Sequence, residues 1–257
     1  GSRSWLVLGP LRLQPAEFAK FATALALAKY MGSYGYNISK VKDSFITLLI
    51  VLTPMLCIVL QRETGSALVY LAFFLVLYRE GMPGGVLFVG VAAVVYFVVG
   101  IKFSELPLWQ TPTQVGEFSV LLLVQAFSSI MVHIYCRNTR NALTIIVSSV
   151  VVTLLALLFS KFVIPFDIVW VQLVVCVVLI IYLLWCSVAS RITNYILVSM
   201  FAVGSLAFFY SADYVLHNVL EPHQRVRVEV LLGLVEDKND AGYNVHQSQI
   251  AIGSGGL

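Results

Sequence analysis

Long apolar runs separated by short polar turns recur along most of the chain. A bilayer crossing takes about 20 mainly apolar residues, with roughly 17 as a lower bound. On that measure the pattern predicts eight spanning helices, at about 14–31, 44–60, 64–80, 86–100, 118–136, 143–160, 168–186 and 194–211. The fourth is the shortest. The second and third meet at "QRETG", residues 61–65, a polar turn that predicts a helical hairpin. Three of the runs, within 118–186, are rich in Val, Leu and Ile and read as lipid-facing scaffold without chemistry. Residues 212–257 are more polar and hold no span. The expected fold class is therefore all-α: a polytopic transmembrane helix bundle forming one integral-membrane domain over 1–257. Its helices occupy 14–211, and a large extracytoplasmic loop occupies 212–257.

Composition supports the same class. The 257 residues are 60% hydrophobic and 11% charged, against about 25% charged in a soluble domain. Mean hydropathy is +0.91. The net charge of +3, with no basic stripe interleaved with aromatics, excludes a nucleic-acid binder. Cys57, Cys136, Cys176 and Cys186 lie in or beside apolar runs without Cys-x-x-Cys spacing, and read as small buried hydrophobes. No charged segment followed by a short apolar stretch marks a signal peptide. The chain starts without Met and stops at "GSGGL", so it reads as an interior piece of a longer membrane protein.

Charge sets the expected orientation. Alternate loops carry Lys40 and Lys42, then Arg79, then Arg137 and Arg140, then Arg191, whereas the opposite loops carry single cations, Arg62, Lys102 and Lys161. The positive-inside rule assigns the first set to the cytoplasm. Eight crossings then put both Leu11–Lys20 and the tail 212–257 on the outer face.

Two charges interrupt the start of the first span, at "QPAEFAK" (14–20). Pro15 suits the first helical position, where its missing N–H costs nothing. Glu17 then falls at the third, near free amides and the positive end of the helix dipole. Lys20 has no such local reason. It stands one turn deeper, near the wrong end of the dipole, and an unpaired cation at mid-membrane costs about 2.5–3.5 kcal/mol. Their spacing of three allows an ion pair. Two readings stand for Lys20: it snorkels to the outer surface, or it lines a charged cavity that opens outward. The "QRETGSA" stretch (61–67), with Glu63, reads either as an interfacial turn or as part of that cavity.

In the tail, Pro222 predicts a helix start and Gly233 a stop. Arg225 and Glu229 are spaced to pair, and an interfacial amphipathic helix follows from the pattern. Glu236, Asp237 and Asp240 then cluster in a polar stretch. Gly253, Gly255 and Gly256 suggest either a backbone nest for a phosphate or a plain loop; without Gly-Lys-Ser/Thr they are not a P-loop. No His-Glu-x-x-His, Gly-x-Ser-x-Gly or Gly-x-Gly-x-x-Gly occurs. His133, His217, His223 and His246 lack metal-ligand spacing, and His133 reads as a core histidine.

These motifs, in this order, resemble those of the shape, elongation, division and sporulation family, the relatives of RodA and FtsW. "QPAEFAK" is similar to that family's Gln-Pro-Ser-Glu-x-x-Lys. "GSRSWLVLGPLRL" resembles its Gly-x-x-Arg-Trp lead-in, with Ser4-Trp5 in place of Arg-Trp. "QRETGSAL" resembles Gln-Pro-Asp-x-Gly-Thr-Ala, with Arg62 for Pro and Glu63 for Asp. "HQRVRVEVLLGLVEDKNDAGYNVHQSQIAIGSGGL" is similar to the outer loop of the RodA branch. The resemblance covers both ends well and 86–190 poorly, where helices beyond the usual plan stand.

What the resemblance implies is an inverting peptidoglycan glycosyltransferase that polymerises lipid II at the outer face of the bacterial cytoplasmic membrane, for cell elongation and shape. It implies a class B penicillin-binding protein transpeptidase as partner. The family's candidate catalytic acid, the Asp of Asp-Pro-x-Gly-x-Gly-Tyr, falls at Asp237, with Lys238 for Pro and Asp240 for the first Gly. Gln14, Glu17, Lys20, Glu63, Arg225 and Arg227 are the candidate substrate-binding positions. Charge on a leaving pyrophosphate calls for Lys20, Arg225, Arg227 or a divalent cation such as Mg²⁺ or Mn²⁺; no organic cofactor is called for. Two other classes remain at this point, a lipid II flippase and a non-catalytic scaffold of a wall-synthesis complex. A transporter needs charged groups near mid-membrane and on both faces, whereas the polar groups here cluster outward.

Overall fold

The computed structural model describes residues 6–8, 11–61, 64–109, 111–219, 222–234 and 243–255. Each predicted interval holds helix. The order is α1 (Pro15–Met31), α2 (Val41–Leu60), α3 (Thr64–Leu68), α4 (Leu71–Arg79), α5 (Gly84–Lys102), α6 (Val115–Tyr135), α7 (Thr139–Phe162), α8 (Val169–Ser190) and α9 (Asn194–Tyr214). A π-helical turn, Val215–Val219, extends α9, and α10 (Pro222–Leu231) and α11 (Tyr243–Gly253) follow. Two three-residue strands, β1 (Leu6–Leu8) and β2 (Leu11–Leu13), pair antiparallel just before α1, with Val7 opposite Arg12.

Among the described residues six helices, α2 and α5–α9, are long and apolar enough to cross a membrane. With the many large apolar side chains that they expose, they make this a multi-pass, all-α membrane protein, since only lipid leaves such surfaces without cost. Three of the eight predicted spans differ in detail. The first is a helix of 17 residues. The third is broken into α3 and α4 at Val69-Tyr70, where Tyr70 is fully buried. The fourth, predicted shortest, runs to 19 residues.

The chain forms two compact units, residues 1–90 and 91–257. In the first, α1 and α2 pack together and α2 packs on α3. Their core gathers Ala16, Leu27, Ile38, Val51, Ile58, Ala67, Tyr70 and Leu77. Thr23 in α1 and Tyr70 share a hydrogen bond of 3.3 Å.

In the second unit, α6 packs against α7, α8 and α9. Here the reading of 118–186 as lipid-facing scaffold needs correction. More than half of the apolar stretch of α6 is buried, and a polar network runs through its core. Gln125 Nε2 donates to Gln172 Oε1 at 2.9 Å and to Cys176 Sγ at 3.5 Å. Ser149 Oγ donates to Gln125 Oε1. Gln172 Nε2 donates to Thr153 Oγ1 at 2.8 Å, and that hydroxyl donates to the Ser149 carbonyl. The two glutamines are 1% and 0% exposed. Few polar residues over a long apolar stretch gave no sign that they converge, because the three helices come together only in the fold.

Nearer the other end of α7, Ser129 Oγ donates to the Ala142 carbonyl at 2.7 Å and Asn141 Nδ2 to Tyr195 Oη at 2.9 Å. At the start of α6, Gly116 lets two backbones meet: its N–H donates to the Phe103 carbonyl at 2.9 Å, and a Cβ there would collide with the Gly100 carbonyl. His133 is not a core residue; it is exposed on α6 and its Nδ1 lies 3.3 Å from the Thr139 hydroxyl. All four cysteines are free, and Cys57, unlike the other three, is exposed.

Interhelical hydrogen bonds in membranes average about 0.6 kcal/mol each, and Gln125 takes part in three. Gln125→Leu is therefore expected to destabilise the protein by about 1–2 kcal/mol, seen as a lower unfolding temperature in detergent. An unchanged unfolding temperature would show that the network carries no stability.

Candidate functional site

The start of α1 is built as its residues dictate. Gln14 is the N-cap, in extended backbone, and Pro15 takes the first helical position. Glu17 lies in the first turn, and its N–H donates to the Gln14 carbonyl at 3.1 Å. Lys20 Nζ donates to Glu17 Oε1 at 2.7 Å, the pair that the spacing of three allowed.

The two partners sit in different environments. The Glu17 side chain is 55% exposed and that of Lys20 only 20%. Helical geometry explains the difference, because positions 16, 20, 23 and 27 follow at i, i+4, i+7 and i+11 and form one stripe. Ala16, Thr23 and Leu27 on that stripe are buried, so the lysine stem lies along the covered face of α1. Its ammonium reaches back one turn toward the helix start, as snorkelling predicts, and meets the carboxylate there. The result is a largely covered lysine whose ammonium pairs with an exposed carboxylate near the helix start.

The tail begins as its sequence predicts. Pro222 opens α10, and Arg225 Nε donates to Glu229 Oε1 at 2.7 Å. Gly233 ends the helix with φ of +73°. The Leu234 N–H donates to the Glu229 carbonyl at 2.8 Å and the Gly233 N–H to the Val230 carbonyl at 3.0 Å. That is a Schellman turn, which satisfies the last free carbonyls of a helix through a residue in left-handed conformation. Asp237 follows four positions later. It lies outside the described residues, as do Glu63, Glu236 and Asp240. Arg227 is within α10, on a backbone that the structure describes.

The glycine-rich end begins in helix and continues as a turn at Ser254 and Gly255, and Gly256 lies outside the described residues. "YNVHQSQIAIG" is the helix α11 rather than a loop. Ser254 N–H donates to the Ile250 carbonyl at 2.8 Å and Gly255 N–H to the Ile252 carbonyl at 3.3 Å. These amides are used to close the helix, so they are not free to cradle a phosphate. Among the described residues no group of three His, Cys, Asp or Glu side chains is placed to hold a metal ion.

At the outer-face end assigned to α6 and α9 by the loop charges, Tyr210 Oη donates to Glu117 Oε1 at 2.7 Å. Sequence reading passed over this pair because 93 positions separate the two residues.

A multi-pass helical membrane protein with a paired lysine at the head of its first helix and a capped helix followed by an acidic stretch of sequence is the class that these elements define. The chain belongs to the cell cycle protein family of FtsW, RodA and SpoVE, whose model matches residues 1–115 and 110–257. It is similar to the peptidoglycan glycosyltransferase RodA of Treponema pallidum (strain Nichols), 30% identical over all of this chain and 49% of that protein. It is also similar to the stage V sporulation protein E of Bacillus subtilis (strain 168), 28% identical over 41% of this chain and 24% of the relative. A third relative, the peptidoglycan glycosyltransferase MrdB of Escherichia coli (strain K12), is 33% identical over 38% of this chain and 26% of its own length. The chain thus spans about half the length of the Treponema pallidum relative. No solved structure matches it.

The Gly233 turn gives a direct test. A Cβ at Gly233 would meet nothing, so the cost of Gly233→Ala is purely conformational, about 1–2 kcal/mol for a left-handed alanine. Faster amide hydrogen exchange is expected at Gly233 and Leu234 in the full-length protein. Unchanged exchange would mean that this turn does not set the end of α10.

Proposed function

We propose that the chain is part of a peptidoglycan glycosyltransferase that polymerises lipid II into glycan strands at the outer face of the bacterial cytoplasmic membrane, serving elongation and cell shape. The observation that carries the proposal is the paired, largely covered Lys20 at the head of α1, in a chain of this family whose Treponema pallidum relative bears that enzyme name over its whole match.

The chemistry follows from the substrate class. An acceptor sugar hydroxyl attacks the anomeric carbon of a sugar α-linked to a lipid pyrophosphate. The new carbon–oxygen bond forms on the opposite face as the bond to pyrophosphate breaks, and the pyrophosphate departs with the electron pair. Inversion asks for one carboxylate on the acceptor side to take the hydroxyl proton. Asp237 is assigned that role. A general base works best with its pKa near neutrality, and the neighbouring sequence supplies two further carboxylates, Glu236 and Asp240.

Pyrophosphate is a good leaving group, so it needs charge stabilisation more than a proton. Lys20 suits that need. Its ammonium is held near an interface and already spends its charge on a carboxylate, Glu17; an incoming pyrophosphate replaces Glu17 as the anion. Gln14, Glu63, Arg225 and Arg227 are the further substrate-binding positions in this reading. Asp237 and Asp240 would hold a divalent cation, which would add positive charge against the leaving pyrophosphate. The enzyme's partner in the wall is a class B penicillin-binding protein transpeptidase, which cross-links the strands.

With purified full-length protein and lipid II, Asp237→Ala is expected to lower polymerisation by roughly 10²–10⁴, the range for loss of a general base. Lys20→Ala should lower it as well, while Lys20→Arg, which keeps the charge, should retain more activity than Lys20→Ala. Polymerisation by Asp237→Ala at the wild-type rate would remove Asp237 from the mechanism.

A further inference from the structure

A slot lies between α7 and α8 in the second unit. Its volume is about 170 Å³, and Thr144, Ile145, Ser148, Ser149, Val175, Val178, Leu179 and Tyr182 line it. Ile145, Ser149 and Leu179 are buried and form its floor, whereas Thr144, Ser148 and Val178 are exposed at its rim. The slot therefore opens on the surface that the spanning helices present to lipid.

Its walls select an apolar guest. Thr144 Oγ1 donates to the Arg140 carbonyl at 2.9 Å, Ser148 Oγ to the Ile145 carbonyl at 3.0 Å, and Ser149 Oγ to Gln125 Oε1. These three hydroxyls are spent inside the protein, and what remains toward the bilayer is mostly methyl and methylene surface. Apolar cavities of about 150 Å³ stay dry and take guests such as benzene, so this one holds several methylenes of a chain.

Charge supplies the other half of the site. Arg140 stands one turn before Thr144, about 6 Å nearer the helix start, and is exposed; its carbonyl accepts from the Thr144 hydroxyl that lines the slot. Among the described residues it has no carboxylate partner. Exposed Arg137 precedes α7, and exposed Arg191 caps α8 at the same end of the helices. With 24 residues, α7 is about 36 Å long, a little more than the roughly 30 Å hydrocarbon core. Its first turn thus lies at headgroup depth, and the slot begins just beneath.

We propose that the α7–α8 slot is a phospholipid site: one acyl chain fills it, and the anionic phosphate of the headgroup pairs with Arg140, supported by Arg137 and Arg191. Basic pockets between helices on the cytoplasmic side are the setting in which anionic headgroups bind, and the loop charges place this end on that side. The site is independent of the polymerisation chemistry, because its test reads lipid retention.

The experiment is native mass spectrometry of the full-length protein, delipidated in detergent and given equal phosphatidylglycerol and phosphatidylcholine. Wild-type protein is expected to retain phosphatidylglycerol preferentially. Arg140→Gln should weaken that retention roughly fivefold, the effect of one cation at a membrane surface. Ser148→Phe, at the exposed rim, should plug the slot and abolish it. Equal retention of the two lipids by the wild type, which requires no variant, would overturn the headgroup assignment. Undiminished retention in Ser148→Phe would overturn the slot.

Discussion

Lipid gives a helix no reason to hide leucine, and this constraint governs the whole molecule. In water, burial of apolar side chains drives packing; in a bilayer the surroundings are as apolar as the core. Helices then associate where close packing and hydrogen bonds give something that lipid cannot. Gln125 meets that condition. One side chain reaches α7 through Ser149 and α8 through Gln172 and Cys176, and Thr153 returns the link to α7. With the close backbone approach at Gly116, these contacts place α6 at the centre of its unit and leave the valine-rich faces of α7 and α8 for the membrane.

The same constraint accounts for Lys20. A cation cannot be left unpaired on the covered stripe of α1, and its stem is long enough to carry the ammonium back to the helix start. There it meets an acid that the helix dipole already favours. Glu17 and Lys20 are thus one unit: the acid makes the lysine tolerable in its place, and the lysine brings positive charge to an interfacial edge. An anionic lipid head offers the same lysine a stronger partner than a single carboxylate. In the second unit exposed Arg140 stands one turn before the residues that line the slot between α7 and α8.

Much of this was legible in the chain. Eight apolar runs became eight helical intervals, and Pro15, Glu17, Pro222, Arg225 with Glu229, and Gly233 took the local positions that their chemistry predicts. Each depends on neighbours within one or two turns. The misreadings share a different cause. Gly253 and Gly255 were open to a phosphate-nest reading until the backbone amides of Ser254 and Gly255 were found closing α11. His133 was assigned to a core that its helix turns away from. The run within 118–186 conceals a polar network because the bonds that join its helices link residues 19 to 51 positions apart.

By itself, then, the sequence determined the solvent, the helices and their caps, because hydropathy and capping act over a few residues. It also carried the motifs that mark the family. Only the tertiary structure decided which face of each helix is covered. That includes the stripe holding the Lys20 stem, the meeting of Gln125 with Gln172, and the opening left between α7 and α8. In a chain so uniformly apolar, lipid and protein neighbours look alike to each residue, and only the packed arrangement distinguishes them.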